Sequence, residues 1–142
     1  MKRPPSIFKS FLSVYIALFR RTGGKFGGKM GAMGVLLLTT TGRKSKQQRT
    51  SPLGYIRDGE NYVVSASNNG QPQNPGWYFN LKDDPHAVIE VGKDKINVTA
   101  EQADPEQKKR LWAQLISVAP RYGKYPEKTS RDIPMMILHP TK

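Results

Sequence analysis

The stretch that most constrains the fold is Leu36–Gly54, which reads LLLTTTGRKSKQQRTSPLG. Its first half is apolar and then β-branched, a composition that favours a buried strand over a helix. Gly42 ends that strand, and a second extended run, Thr50–Ile56, follows it. The sequence therefore predicts a hairpin whose turn region carries four cations: Arg43, Lys44, Lys46 and Arg49.

A turn with this many cations has two interpretations. Backbone N–H groups at a turn can form a concave anion site, and arginine binds phosphate through two parallel hydrogen bonds. The alternative is a solvated hairpin tip, because charged side chains normally lie at the surface. The local sequence leaves both interpretations open.

Charge is distributed unevenly along the 142 residues. Lys and Arg number 23 against 11 Asp and Glu, which gives a net charge of +12. The first acidic residue is Asp58, and twelve of the cations precede it. The excess positive charge therefore lies in the first 57 residues. Such asymmetry indicates an anionic partner, which could be nucleic acid, an acidic membrane surface or a polyanionic cofactor.

Conventional catalytic groups are scarce in this chain. The absence of cysteine excludes a disulfide scaffold, a cysteine zinc site and a thiol nucleophile. The two histidines, His86 and His139, are expected at strand ends on the surface, and we expect no metal site. If the chain is an enzyme, a bound cofactor is expected to supply the chemistry, with the protein providing grip and orientation.

Residues 1–33 are predicted to form a basic amphipathic helix and a glycine-rich linker or lid. Ser6 is a candidate N-cap. This helix is interpreted either as lying on anionic lipid or as packing across the barrel and closing a pocket. Its apolar run is too short to span a bilayer, and it lacks a cleavage site. Apolar residues recur at helical spacing at Phe8, Phe11, Leu12, Tyr15 and Phe19.

Residues 34–142 are predicted to form one β-rich domain. Two helices are expected, Pro75–Lys82 with an Asn74 N-cap and a second that starts at the capping box of Asp104. This pattern fits an antiparallel barrel or a strongly bent sheet with helical insertions, in the mainly β (α+β) class. The six predicted strands are Val35–Thr41, Thr50–Ile56, Asn61–Ala66, His86–Val91, Lys95–Glu101 and Ile133–His139.

Several motifs after Gly34 carry a family resemblance. They are LLLTTTGRKS with Arg49 and Pro52-Leu53, then VSASNNG from Val64 and NPGWYFNL from Asn74, then Pro120, Tyr122 and Tyr125, and finally Arg131, Ile133 and Pro134. With these motifs the chain resembles the deazaflavin (F420)-dependent nitroreductase, or F420H2-dependent quinone reductase, family of actinobacteria. The resemblance implies a split β-barrel of about six antiparallel strands with flanking helices.

The resemblance also implies an activity. The cofactor would be coenzyme F420, a deazaflavin with a phospholactate and an oligoglutamate tail. Its reduced form would give a hydride to a small acceptor such as a quinone, an enone or a nitroaromatic. A cytoplasmic location is implied, peripheral on the inner face of the membrane through the N-terminal helix, with no nucleic-acid partner. The oligomeric state stays open between monomer and homodimer. The alternatives are an FMN-binding split-barrel oxidoreductase and a non-catalytic F420- or lipid-binding protein.

The resemblance assigns roles by position. Tyr122 and Tyr125 would flank the ring on the acceptor side as catalytic residues, with a tyrosine or water supplying the proton, and Tyr122 would also contact the cofactor. The phosphate and tail would be held by Arg43, Lys44, Ser45 and Arg49. The deazaflavin and its ribityl chain would be lined, largely through backbone, by Thr50, Ser51, Pro52, Leu53, Gly54, Ser65, Ala66, Ser67, Asn68, Gly76, Trp77, Tyr78, Phe79 and Asn80.

Three positions depart from the family pattern. Asn68 stands where some members have lysine, which removes one cation near the cofactor. Gln47 replaces the common turn glycine. Ala119 replaces the usual aromatic residue ahead of the tyrosine motif, so we expect a wider acceptor pocket.

Overall fold

The computed structural model describes residues 6–128 and 131–141. Within this part the strands are β1 (Lys29–Met30), β2 (Met33–Thr41), β3 (Gln48–Asp58), β4 (Asn61–Ser65), β5 (His86–Val91), β6 (Asp94–Gln102) and β7 (Met135–Pro140). The α-helices of the same part are α1 (Ser6–Thr22), α2 (Gly76–Asp83), α3 (Pro105–Val118) and α4 (Tyr125–Lys128). Short 3-10 helices lie at Asn68–Gly70 and Pro120–Lys124. The six strands and two helices expected after residue 34 are all present.

Six antiparallel strands close into a barrel, as predicted. Hydrogen bonds link them in the order β2-β3-β4-β7-β6-β5, and β5 returns to β2 opposite Leu37–Thr39. Closure gives each of these strands a neighbour on both sides over part of its length, which leaves less unpaired edge than an open sheet would present. The strand β1 was not predicted. It pairs with Met33 and Gly34 at the start of β2, on the β2 edge that β5 uses further along.

Alternation along the strands builds two apolar layers. Met136 and Leu138 of β7 belong to the cluster inside the barrel. The neighbouring residues Met135 and Ile137 belong to a second cluster, which Leu111 and Leu115 of α3 complete. A sheet covered on both faces explains why these strands are continuously apolar rather than alternating.

The two predicted helix starts have different outcomes. For α3 the capping box is confirmed: Asp104 Oδ1 accepts from the Gln107 amide at 2.8 Å, and Gln107 Oε1 accepts from the Asp104 amide at 2.9 Å. For α2 the predicted Asn74 cap is wrong, because Pro75 occupies the N-cap position and makes no side-chain cap bond. Asn74 Oδ1 instead accepts from Arg131 Nη1 at 2.6 Å.

Helix α1 is joined to the barrel near its C-terminal end. Phe19 is fully buried, and Arg20 forms a two-point ion pair with Glu90 of β5 at 2.9 Å. The Tyr15 hydroxyl donates to the carbonyl of Gly27 at 2.5 Å. The predicted cap Ser6 is the first helical residue, and the side chain of Phe8 lies outside the described residues. No helix of the described part is long and apolar enough to cross a membrane.

Candidate functional site

A cleft of about 250 Å³ opens where β3 and β4 separate. These strands pair from Ile56–Val63 to Asp58–Asn61, and in the described residues no strand continues along the same β3 edge towards Arg49. Backbone groups on an unpaired edge must find other partners, so they are available to a ligand. Proline is compatible with such an edge, which accounts for Pro52 inside a strand.

Nine of the predicted site residues line this cleft: Pro52, Leu53, Gly54, Ser65, Ser67, Asn68, Trp77, Tyr122 and Tyr125. Sequence reasoning missed three others, Met30, Pro75 and Arg121. Met30 reaches the cleft because β1 lies against β2, and a strand of two residues gives no periodic signal. Arg121 is adjacent to Tyr122 in sequence, and that adjacency was the signal available for it.

Tyr122 and Tyr125 form an edge-to-face pair in the cleft wall. Their ring centroids are 5.2 Å apart, with an interplanar angle of 73°. The segment that carries them was predicted as a loop, but it is a 3-10 helix that runs into α4. Residues three apart lie on the same side of a 3-10 helix, which brings the two rings together.

The Tyr122 hydroxyl lies against the backbone of β3. A Cβ atom at Gly54 would stand 3.0 Å from this oxygen and 2.2 Å from Met33 Cε, so a larger residue here would displace the methionine methyl and crowd the hydroxyl. Burial raises the pKa of Tyr122 above its usual 10.0, and the nearby guanidinium of Arg121 opposes that rise. Tyr122 therefore keeps its proton at neutral pH.

The opposite wall is held by a guanidinium clamp. Arg131 donates to the Ser67 carbonyl at 2.8 Å, to the Gln71 carbonyl at 3.0 Å and to the Asn74 side chain. The hydroxyls of Ser65 and Ser67 are hydrogen bonded to each other at 2.6 Å. The clamp fixes the segment that begins at Ser67, so both hydroxyls are presented to the cleft in a defined position.

The cationic turn is anchored on α2. Asn80, which is buried, donates from Nδ2 to Thr40 Oγ1 at 3.0 Å and accepts from the Arg43 amide at 3.1 Å. The Arg43 guanidinium lies over the Phe79 ring, 4.8 Å from its centroid. Trp77, which lines the cleft, is three residues before Asn80, about one helical turn away. The turn and the cleft therefore adjoin the same short helix.

The charges of this turn are largely uncompensated. Arg43, Lys44 and Arg49 are exposed and form no ion pair with the described acidic residues. Lys46 lies 3.8 Å from Asp83, with both side chains exposed, an arrangement worth little in water. An anion could therefore approach the turn without displacing a carboxylate.

The turn also corrects one prediction. Gln47 was expected to replace a turn glycine, but the left-handed backbone conformation belongs to Lys46, with φ of +61°. Gln47 closes the turn instead, because its carbonyl accepts from the Gly42 amide at 2.7 Å. The position that favours glycine is therefore one residue earlier than predicted.

The remaining predicted site residues do not line the cleft. Tyr78 is buried in the barrel core, and its hydroxyl donates to Gln102 Oε1 at 3.0 Å. Thr50 is hydrogen bonded to Thr39 across the hairpin. Ala119, where a wider pocket was expected, packs in the α3 cluster. Six further predicted site residues, in addition to the cations of the turn, also lie outside the cleft lining: Ser45, Ser51, Ala66, Gly76, Phe79 and Asn80.

Both histidines lie at the surface, as expected. His86 Nδ1 lies 3.0 Å from Asp84 Oδ1, and His139 Nε2 lies 3.4 Å from Glu101 Oε1. Among the described residues no group of three or more histidines or carboxylates is arranged to hold a metal ion.

Comparison with known proteins decides the family. The family model for F420H(2)-dependent quinone reductase matches residues 12–140. The chain belongs to this family. The predicted family, fold class and enzyme type are thereby confirmed, and so is reduced coenzyme F420 as the cofactor.

Several individual proteins are similar to this chain. An F420H(2)-dependent quinone reductase of Mycobacterium tuberculosis is 43% identical over 132 residues, which cover 89% of this chain and 88% of the relative. A solved F420-H2 dependent reductase superposes with a TM-score of 0.68 at 34% identity, covering 74% of this chain and 93% of that one. A solved domain-swapped dimer superposes with a TM-score of 0.72 at 29% identity, covering 96% and 100%.

The residues of the quinone reductase cleft suit such a cofactor. The lining combines an open strand edge, two serine hydroxyls and three aromatic side chains, and among the described lining residues there is no carboxylate. Exposed cations stand on the turn that is bonded to α2, the helix that also carries Trp77 of the cleft. This donor set fits a planar, hydrogen-bonding ring joined to a polyanionic tail.

Proposed function

We propose that the cleft between β3 and β4 is the site at which a quinone is reduced. When bound there, reduced F420 supplies a hydride from C5 of its deazaflavin ring to the acceptor. The main support for the proposal is that one helix, α2, contacts both this cleft and the uncompensated cationic turn. A polyanionic, ring-bearing cofactor requires both features.

The tail of the cofactor would be held by Arg43, Lys44, Ser45 and Arg49. Arg43 is the best placed of these, because its amide is fixed by Asn80 and its guanidinium by the Phe79 ring. A pre-positioned guanidinium loses less conformational entropy when it binds phosphate than a free one does.

The ring would be held by the cleft walls. The open edge of Pro52–Gly54 offers backbone groups on one side, and Ser65 and Ser67 offer hydroxyls on the other. Trp77 adds an apolar wall. The acceptor would lie towards Tyr122 and Tyr125, with Tyr122 as the proton donor because its phenol is protonated at neutral pH. Enones and nitroaromatics are further candidate acceptors, since both take up a hydride at an activated carbon or nitrogen.

Residues 1–33 are proposed as a unit that contacts an anionic membrane surface. Phe11 and Val14 on α1 are 75% and 57% exposed, and Phe26 is 47% exposed. Arg20, Arg21 and Lys25 are close to them in sequence. Exposed apolar side chains with flanking cations are typical of helices that lie in the interface of an anionic bilayer. The acceptor would then be taken from the lipid phase.

Fluorescence titration of the full chain with F420, repeated with FMN, tests the cofactor site. We expect F420 to bind and FMN to bind much more weakly. Arg43→Gln and Lys44→Gln should each weaken F420 binding about tenfold or more, since a hydrogen bond to a charged group is worth roughly 1.5–3 kcal/mol. Lys95→Gln is the matched control, an exposed cation on β6 that should leave affinity unchanged.

Three results would contradict the proposal. Preferential binding of FMN would leave the barrel correct and the cofactor wrong. Equal loss of affinity in the Arg43 and Lys95 variants would show that the turn acts through the net charge of the protein and not through specific contacts with the cofactor. Binding of neither cofactor, with tight salt-dependent binding to lipid or nucleic acid, would indicate a basic binding module.

A further inference from the structure

Arg121 is the one charged side chain among the described residues that line the cleft. It lies in the 3-10 helix Pro120–Lys124, immediately before Tyr122, and its side chain is exposed. The contrast with Lys124 is informative, because that residue is an exposed cation of the same helix and lies outside the cleft.

The contact of Arg121 is with the ring of Tyr122. The guanidinium carbon lies 5.4 Å from the centroid of that ring. The other titratable group that acts on the pKa of Tyr122 is Tyr125, which raises it. Gly54, whose backbone faces the Tyr122 hydroxyl, and Met33, of the apolar cluster against which Tyr122 packs, carry no charge. Among the described groups, Arg121 is therefore the charge that acts on this phenol.

We infer that Arg121 is a positioning residue whose guanidinium assists transfer of the Tyr122 proton to the reduced acceptor. The inference rests on the proposed function of the cleft. A positive charge beside a phenol stabilises the phenolate that remains after the proton has left. Burial of Tyr122 works in the opposite direction, so the donor would be a weaker acid without Arg121.

Reduction of a quinone then needs one hydride and one proton. The acceptor gains a hydride, which is two electrons and one proton, and becomes a hydroquinone monoanion. The O–H bond of Tyr122 breaks, a new O–H bond forms on the acceptor oxygen, and the neutral hydroquinone leaves. The Tyr122 phenolate is then protonated by solvent, with Arg121 stabilising it in the interval.

The test is a pH titration of the full chain labelled with carbon-13 at tyrosine Cζ and followed by NMR. The Tyr122 signal is assigned with Tyr122→Phe. In Arg121→Lys, Arg121→Gln and Arg121→Glu we expect its pKa to rise in that order. The rise should be about half a unit to one unit for the glutamine variant, since the charge is near the ring but exposed to solvent. This readout requires no cofactor.

Turnover of menadione, a soluble naphthoquinone, supplies the second readout. At pH 7 we expect kcat to fall in the same order, roughly 3- to 10-fold for Arg121→Gln, with KM for reduced F420 little changed. Lys124→Gln should alter neither the titration nor kcat. If kcat in Arg121→Lys is close to that of wild type, the charge of Arg121 matters and not its packing.

Two outcomes would overturn the inference in different ways. If the Tyr122 titration is the same in wild type, Arg121→Gln and Arg121→Glu while wild type turns over, Arg121 does not act through this phenol. If wild-type protein does not accelerate menadione reduction, the proposed function falls and the inference falls with it.

Discussion

Lys46 holds the least favourable backbone conformation of the cationic turn. Its φ of +61° lies in the left-handed region, which costs a non-glycine residue about 1–2 kcal/mol. Two bonds impose it: the Lys46 amide donates to the Gly42 carbonyl at 2.9 Å, and the Gly42 amide donates to Gln47 at 2.7 Å. The turn is therefore tight at the expense of local strain.

Lys46→Gly should stabilise the chain by about 0.5–1 kcal/mol, because relief of strain exceeds the added entropy of the unfolded state. Gln47→Gly is the matched control and should destabilise it by about the same amount, since Gln47 does not have a positive φ. Urea unfolding of the two variants measures both changes. Stabilisation by Gln47→Gly instead would show that the left-handed residue has been misplaced.

The displaced glycine position shows a limit of sequence reasoning at this scale. A Gly-Arg-Lys-Ser run between two strands predicts a tight turn, and the turn is there. Which residue adopts the left-handed conformation depends on which backbone N–H and C=O groups form the hydrogen bonds that close the turn. That pairing is set by the register of β2 and β3, where Thr41 lies opposite Gln48. Residue type alone does not determine it.

Among the elements, the short helix α2 contributes to both the cleft and the cationic turn. It has eight residues, yet Trp77 lines the cleft, Phe79 supports Arg43 and Asn80 bonds both β2 and the turn. Since Asn80 and Thr40 are both buried, removal of Asn80 would leave the Thr40 hydroxyl without its partner in a site shielded from water.

Asn80→Ala should destabilise the chain by about 1–3 kcal/mol, because the buried Thr40 hydroxyl loses its partner and the Arg43 amide loses its acceptor. F420 affinity should fall as well, since the turn is no longer fixed. Lys82→Ala, an exposed change on the same helix, should stay within about 0.5 kcal/mol of wild type. Urea unfolding and F420 titration report the two effects. Unchanged stability of Asn80→Ala would contradict the anchoring role.

Elements with a local signal were predictable, and those fixed by distant contacts were not. The α3 start was found because Asp104 and Gln107 bond each other within one turn. The α2 cap was misassigned because the partner of Asn74 is Arg131, 57 residues away. The strand β1 has two exposed residues and forms through its pairing with β2, so no periodicity in the sequence predicts it.

At the scale of the whole molecule, the uneven charge and the barrel account for different parts of the function. The barrel supplies a rigid frame that opens between β3 and β4, and the cationic first part of the chain supplies the turn and α1. The sequence predicted the barrel, the turn and the tyrosine pair. It could not predict where β3 and β4 separate, because the course of β4 beyond its turn with β3 depends on its pairing with β7, which is distant in sequence.

The membrane proposal makes a prediction about α1. Phe11→Ser combined with Val14→Ser should weaken binding to phosphatidylglycerol vesicles about tenfold or more, since each buried apolar side chain is worth roughly 1.5–3 kcal/mol. Both residues are exposed, so the fold should be unaffected. Val118→Ser, at an exposed apolar position at the end of α3, is the control. Vesicle co-sedimentation measures binding.

The same assay can contradict this proposal. Equal binding of wild type and the double variant would show that α1 does not contact lipid. A mass that doubles with concentration in wild type but not in the variant would show instead that a second copy of the chain covers Phe11 and Val14. Static light scattering on the same samples decides between these cases.

The most direct test of the central claim is anaerobic mixing of the chain with reduced F420 and menadione, followed by the absorbance of oxidised F420. We predict formation of oxidised F420 in proportion to the amount of protein. Tyr122→Phe should lower this rate more than it lowers F420 affinity, because in the proposed mechanism the hydroxyl donates the proton and makes little of the binding contact. Binding of F420 without any acceleration over the protein-free reaction would contradict the account and leave the chain a cofactor carrier.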